Sequence, residues 1–145
     1  MEQVIALGTA ACNLASHFES HEQYKVYRIN DKGDRQEKNF IKIPTLKNAE
    51  DYETVNLNFK RKLTRVEGDV LFVVCGCSKV ASASLVVLQY LHKKCNISLL
   101  YIKPDMSFLS EKERLQERAV YNILQQYARS GVFNNIMLVS NETVE

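Results

Sequence analysis

The stretch GDVLFVVCGC, residues 68–77, decides the fold. Its central part, DVLFVVC at residues 69–75, is dominated by β-branched and aromatic residues and lacks polar alternation. A strand of this kind is covered on both faces, which is typical of a parallel sheet. We therefore predict that residues 69–75 form the central strand and that the loop beginning at Gly76 lies beyond its carboxyl end.

Strand and helix patterns alternate along the rest of the chain. Further strands are predicted at residues 3–7, 24–29, 39–43, 97–102 and 135–139. Helices are predicted at residues 12–22, 48–66, 80–94 and 110–131, the last with a capping box of Ser110 and Glu113 and an apolar stripe of Leu115, Ala119, Ile123, Leu124 and Tyr127. Parallel strands joined by right-handed helical crossovers predict an α/β fold: a three-layer, doubly wound, mainly parallel six-stranded sheet.

Composition limits the classes of partner. The 145 residues are expected to form a single domain, residues 1–145, and their net charge of +2 predicts neither a nucleic-acid partner nor a membrane surface. The first residues lack the basic segment of a signal peptide, and no apolar run approaches the roughly 18–20 residues of a membrane span. Cys12, Cys75, Cys77 and Cys95 do not form a disulfide-type framework. Reduced thiols and a cytoplasmic location are expected.

Two loops carry the motifs of a known family. The stretch VIALGTAACN, residues 4–13, resembles the first glycine-rich loop of the tubulin and FtsZ GTPases, with Gly8 and Asn13 at matching places. GDVLFVVCGC resembles the FtsZ strand that precedes the signature loop, with Gly76 at its lead glycine. In the final third, Pro104 and Asn141 fall where the family has a proline and a nucleotide-contacting asparagine. The order of these motifs extends the resemblance over essentially the whole chain.

The same loops depart from the family pattern. Thr9 to Cys12 replace glycines of the first loop, and SKVASAS, residues 78–84, replaces the glycine- and threonine-rich run. A phosphate cradle needs consecutive backbone N–H groups, often at φ values that only glycine adopts at low cost. We therefore interpret the site as vestigial and expect no cofactor. If binding of GTP or GDP survives, the resemblance assigns it to Gly8, Asn13, Gly76, Ser78, Lys79 and Asn141.

Other side-chain patterns have simpler interpretations. His17 and His21 are four residues apart on the predicted first helix, but no third metal ligand is evident. The basic run FKRKLTR, residues 59–65, is diluted by neighbouring acidic residues and is interpreted as a solvated helix face. No serine, cysteine or aspartate near the predicted loops has an evident base partner, so nucleophilic catalysis is not predicted. A metal site is not predicted either, because the two histidines lack a third ligand.

The leading hypothesis is a non-catalytic tubulin- or FtsZ-like domain that serves as a structural or assembly module. Its partners are expected to be proteins, in a larger homo- or hetero-assembly. Because the family assembles head to tail and some members are encoded by phages, incorporation into a virus particle is a further hypothesis. Relative to the family, the acidic catalytic loop and the second domain would follow Glu145. Two alternatives remain: a minimal guanine-nucleotide-binding protein or weak GTPase, and a regulator that caps FtsZ or tubulin polymers.

Overall fold

Alternating strands and helices build the protein in the computed structural model, which describes residues 2–21, 23–31, 39–43, 45–46, 63, 66–76, 79–131 and 133–140. The strands are β1 (Glu2–Leu7), β2 (Tyr24–Asn30), β3 (Phe40–Lys42), β4 (Gly68–Cys75), β5 (Cys95–Lys103) and β6 (Phe133–Ser140). The α-helices are α1 (Thr9–Ala15), α2 (Ser84–Leu91) and α3 (Glu111–Arg129), and short 3-10 helices cover Ser16–Phe18, Lys79–Ala83 and Met106–Phe108.

The six strands form one sheet in the order β3-β2-β1-β4-β5-β6, and every neighbouring pair is parallel. This confirms the predicted α/β class and the six-stranded parallel sheet. The predicted strands agree with the observed ones to within a residue or two at each end. The order reverses between β1 and β4, which is the arrangement of doubly wound nucleotide-binding folds.

Helices pack against both faces of the sheet, which gives three layers. On the face that we call the α1 face, Ala11 and Ala15 of α1 pack among alternate residues of the central strands, including Val4, Ala6, Val73 and Cys75. On the opposite face, which we call the α2/α3 face, buried residues of α2 and α3 such as Leu88 and Leu124 pack over Ile5, Phe72 and Leu99. β4 thus contributes buried side chains to both layers, as its apolar sequence predicts.

The first helix is shorter and begins earlier than predicted. α1 begins at Thr9, directly after Gly8, and ends at Ala15, where a 3-10 helix takes over. The hydroxyl of Ser16 donates to the carbonyl of Asn13 (2.6 Å), and that of Ser20 donates to the carbonyl of His17 (3.2 Å). Serine side chains that bond to nearby main chain compete with regular helix in this way. The expectation that His17 and His21 share one face of an α-helix is therefore wrong.

The third helix confirms its predicted start but not all of its apolar stripe. The Ser110 hydroxyl accepts from the Glu113 N–H, and the Glu113 carboxylate accepts from the Ser110 N–H, which is a complete capping box. Leu115 and Ala119 are exposed, whereas Glu117, Val120 and Leu124 are buried. The buried side of the helix is centred on Glu117 because this carboxyl group has a partner in the sheet.

The helix predicted at residues 48–66 and most of the basic run 59–65 lie outside the described residues. Leu63 and Val66 are described, and both are fully buried in the core of the α2/α3 face. Lys94 Nζ donates to the carbonyl of Leu63 (3.1 Å). No helix among the described residues has the length and apolar character needed to cross a membrane.

Candidate functional site at the carboxyl ends of β1 and β4

The two motif glycines lie side by side at the point where the strand order reverses. Leu7, the last residue of β1, is in register with Val74 in β4. Gly8 and Gly76 therefore follow adjacent strands at the same edge of the sheet. The connections of β1 and β4 leave in opposite directions there, and in doubly wound folds this opening is the usual ligand crevice.

Gly8 owes its identity to its backbone conformation. It adopts φ 95° and ψ 168°, and it caps the start of α1. Its N–H donates to the carbonyl of Ile29 (2.9 Å), and its carbonyl accepts from the Cys12 N–H (2.9 Å). A positive φ of this kind is readily accessible only to glycine. Gly8 thus allows the chain to turn sharply from β1 into α1 while it stays hydrogen bonded to β2.

The polar side chains beyond β1 and β2 bond to the protein itself. Asn30 is buried, and its amide nitrogen donates to the Thr9 hydroxyl (3.2 Å). Its side-chain oxygen accepts from the Asp31 N–H (2.9 Å). Asn30 therefore ties the two loops of this edge together, a role that the sequence pattern did not indicate.

Glycine is needed at position 76 for a different reason. A Cβ built at this position would collide with the Tyr101 hydroxyl and would lie 2.8 Å from Tyr101 Cζ and 3.2 Å from Glu117 Cγ. The φ of Gly76 is not in the positive region that sets Gly8 apart. The Tyr101 hydroxyl donates to Glu117 Oε1 (2.8 Å), and both residues are buried. Gly76 thus makes room for a hydrogen-bonded pair that joins β5 to α3.

The segment after Gly76 packs into the core. Lys79–Ala83 forms a 3-10 helix. Its Val80, Ala81 and Ala83 are all buried in the core of the α2/α3 face. Ser82 and Ser84 are also buried, and Ser84 Oγ has no hydrogen-bond partner in the part of the chain that the structure describes. The hydroxyl groups of Ser82 and Ser84 therefore lie inside the protein.

Of the remaining predicted site residues, the structure describes Asn13 and Lys79. Asn13 is exposed on α1, four residues after Thr9, and its carbonyl accepts from Ser16. Lys79 is the first residue of the 3-10 helix, whereas Ser78 and Asn141 lie outside the described residues. Sequence reasoning missed Tyr101 and Glu117; the one available signal was an acidic residue in the middle of the α3 sequence.

Cys12 is the thiol nearest to the first loop. Its Sγ lies 3.8 Å from the carbonyl oxygen of Ile29 and 3.9 Å from that of Ala6. Burial raises the pKa of the Cys12 thiol to about 11, with the nearby positive charge of Arg28 offsetting part of the effect. Since the thiolate is the reactive form, Cys12 is a poor nucleophile at neutral pH. Cys12, Cys75 and Cys95 are all free thiols.

A second, shallow cleft lies near the amino end of β2, away from the two glycines. It is lined by His17, Phe18, His21, Gln23 and Tyr24. Phe18 and Tyr24 meet edge to face at 5.1 Å between ring centroids, as aromatic pairs in cores commonly do. Among the described residues, no cluster of three or more metal-ligating side chains occurs here or elsewhere.

Strand order, crossover sides and the position of the crevice define a doubly wound α/β protein. No protein-family model matches the chain, and no curated protein matches it by sequence.

Proposed function

We propose that this chain is a non-catalytic α/β module of the tubulin and FtsZ type that acts as a subunit of a larger protein assembly. The strand order β3-β2-β1-β4-β5-β6, with Gly8 and Gly76 at the reversal point, supports the resemblance to that family. The assembly would lie in the cytoplasm or form part of a virus particle. The proposal carries no cofactor and no catalytic residue.

The packing around Gly76 supports the proposal that this module is non-catalytic. A phosphate loop uses glycine so that the backbone can approach the ligand. Here the space beside Gly76 is filled by the Tyr101 hydroxyl and by Glu117, and a carboxyl group at this place is unsuited to an anionic phosphate. The segment that follows supplies Val80 and Ala81 to the core. The loop therefore stabilises the fold at the position where a GTPase would bind its substrate.

The observation that favours assembly is an aromatic side chain displayed at the same edge of the sheet. Phe108 is 84% exposed and lies in the 3-10 helix that follows β5. This turn is well held, because the Asp105 carboxylate accepts from the N–H and hydroxyl of Ser107, and Arg114 Nε donates to the Met106 carbonyl (3.1 Å). Aromatic residues presented on ordered turns are frequent anchors of protein interfaces.

Calorimetric titration of the purified chain with GTP and with GDP tests the proposal. We expect no binding at micromolar concentrations, and Asn13→Ala should leave the titration unchanged. Micromolar GTP binding that Asn13→Ala abolishes would overturn the proposal in favour of the weak GTPase. The mass of the wild-type chain in solution, compared with that of Phe108→Ser, tests the assembly surface. A homo-assembly built through this edge should lose mass in the variant.

A polymer-capping regulator makes a different prediction from an assembly subunit. Such a regulator would be a monomer on its own and would shorten FtsZ or tubulin polymers at substoichiometric concentration. Light scattering of polymerising FtsZ with and without the chain separates the two functions. Shortening by the wild type but not by Phe108→Ser would favour the capping alternative.

A further inference from the structure

The two edges of the sheet differ in how they are protected. β3 has only three residues and carries the exposed Lys42. β6 has eight residues, FNNIMLVS, and is the only one of the six strands without a charged residue. Short edge strands and exposed lysines are common means of preventing pairing with other chains. The β3 edge has both, and β6 has neither.

β6 also presents apolar side chains to solvent on both of its faces. Met137 is 42% exposed on the α1 face, and Leu138 is 56% exposed on the α2/α3 face. In the part of the chain that the structure describes, β6 is paired on one side only, with β5. The register irregularity between Ile97 and Ser98 falls at the beginning of β6, so residues 135–139 pair regularly with β5. This regular portion leaves a row of backbone N–H and C=O groups along its outer side.

We propose that β6 pairs antiparallel with β6 of a second copy of this chain, across a two-fold axis, so that the two sheets become continuous. The lack of charge favours a second copy as the occupant. A two-fold interface sets each residue close to its own counterpart, and any charge near the axis would meet a like charge. A partner recognised by charge would instead be matched by charged residues on β6.

The exposed side chains select a register. With the axis at Met137, the two Met137 residues face each other, and Leu138 faces Ile136 of the second copy. Facing side chains in an antiparallel pair have their Cβ atoms about 4.5–5.5 Å apart. This register covers Met137 on one face of the joined sheet and Leu138 on the other.

The inference rests on the proposed function in one respect, because both require the chain to act as a bound subunit. It uses a different surface, however. Phe108 lies in the loop that follows β5, whereas the β6 edge runs along the side of the sheet. The two surfaces can therefore be tested by separate substitutions.

Sedimentation equilibrium of the wild type, Leu138→Lys and Leu115→Lys is the first test. Leu115 is a matched control, because it is 60% exposed and lies on α3 two residues before the buried Glu117, on the outward side of the helix. We expect a wild-type dimer whose dissociation constant rises at least about 100-fold in Leu138→Lys, since the axis places the lysine twice in the interface. Leu115→Lys should dimerise like the wild type.

Disulfide trapping tests the register. Met137→Cys places two thiols across the axis, and mild oxidation should convert most of this variant into a covalent dimer on a non-reducing gel. The wild type supplies the background from the native cysteines, and Leu115→Cys supplies an exposed thiol away from the edge. Circular dichroism melting of each variant establishes that it is folded. Trapping of Leu115→Cys as efficiently as Met137→Cys would overturn the register.

The outcomes separate this inference from the proposed function. A wild type that is still monomeric at about 100 μM, a concentration far above the dissociation constants of typical stable dimers, would overturn the edge pairing. An oligomer that is weakened by Phe108→Ser but not by Leu138→Lys would also overturn it, while it would support the assembly function. GTP binding by a chain that dimerises through β6 would overturn the proposed function alone.

Discussion

Gly76→Ala is the substitution that separates the two explanations of the glycine after β4. The added methyl group would meet the Tyr101 hydroxyl and would lie 2.8 Å from Tyr101 Cζ. The φ of Gly76 is outside the positive region, so alanine at this position is not strained by a left-handed backbone conformation. If the glycine served only a lost phosphate site, alanine would be accepted. If it makes room for Tyr101 and Glu117, alanine must displace them.

The expected magnitude follows from these two possibilities. Without a steric conflict, a change from glycine to alanine stabilises a protein by about 0.4–1 kcal/mol, because the unfolded chain loses freedom. Overpacking a core costs about 1–3 kcal/mol, and disturbing a buried hydrogen bond adds about 1–3 kcal/mol. We therefore expect Gly76→Ala to lower the free energy of unfolding by about 2–4 kcal/mol. For a chain of this size, the melting temperature should fall by roughly 4–16 °C.

Urea unfolding followed by circular dichroism measures the effect, and two further variants identify its cause. Gly131→Ala is the matched control, because Gly131 has φ 81° and open space around its Cβ position. It should cost about 1 kcal/mol through backbone strain alone. In a Tyr101→Phe background the hydroxyl is gone, so Gly76→Ala should cost at least about 1 kcal/mol less than in the wild type. A neutral or stabilising effect of Gly76→Ala in the wild type would refute the packing explanation.

The remaining predictions concern the Cys12 thiol and the cap of α3. The pKa of Cys12 is raised from 9.0 to about 11, so the unfolded thiol ionises first and stability should fall by up to about 3 kcal/mol as the pH rises through this window. Cys12→Ala should remove that share of the alkaline loss when unfolding is compared at about pH 8 and about pH 10.5; an equally steep loss in the variant would contradict it. Ser110→Ala should cost about 1 kcal/mol by removing the cap of α3. The hydrogen bonds with the backbone and side chain of Ser110 lower the pKa of Glu113. The contribution of Glu113 to the free energy of unfolding, measured as the difference between the wild type and Glu113→Gln, should therefore be present at neutral pH and be lost as the pH falls below the ordinary value of 4.5. A difference that does not change with pH would count against this.

The strands and their parallel arrangement could be predicted because the signal is local. Residues 69–75 are apolar at nearly every position, and such a run has few alternatives to a strand buried on both faces. The capping box was predictable for the same reason, since Ser110 and Glu113 bond to each other within one turn. The bounds of α1 were not, because they depend on the backbone conformation of Gly8 and on hydrogen bonds to β2.

The candidate site was harder to predict because its contacts join distant parts of the chain. Tyr101 on β5 and Glu117 on α3 reach Gly76 only after the parallel sheet has formed. In sequence, Glu117 is one charged residue among several on a helix, and its burial moves the inward side of α3 away from Leu115. A pattern method that assigns apolar residues to the core places the stripe incorrectly at such a position.

The two motif glycines therefore have unrelated physical causes, although they are adjacent in space and belong to similar sequence motifs. Gly8 is required by its positive φ, and that requirement exists whether or not a ligand binds nearby. Gly76 is required by the volume of its neighbours, because the Tyr101 hydroxyl and Glu117 fill the space that a side chain at this position would need. A glycine at a strand-to-helix junction is thus evidence for a ligand only when neither its conformation nor its packing already explains it. At the carboxyl ends of β1 and β4 both glycines are explained without a ligand. The proposals on function are therefore based on the exposed Phe108 and on the uncharged edge strand β6.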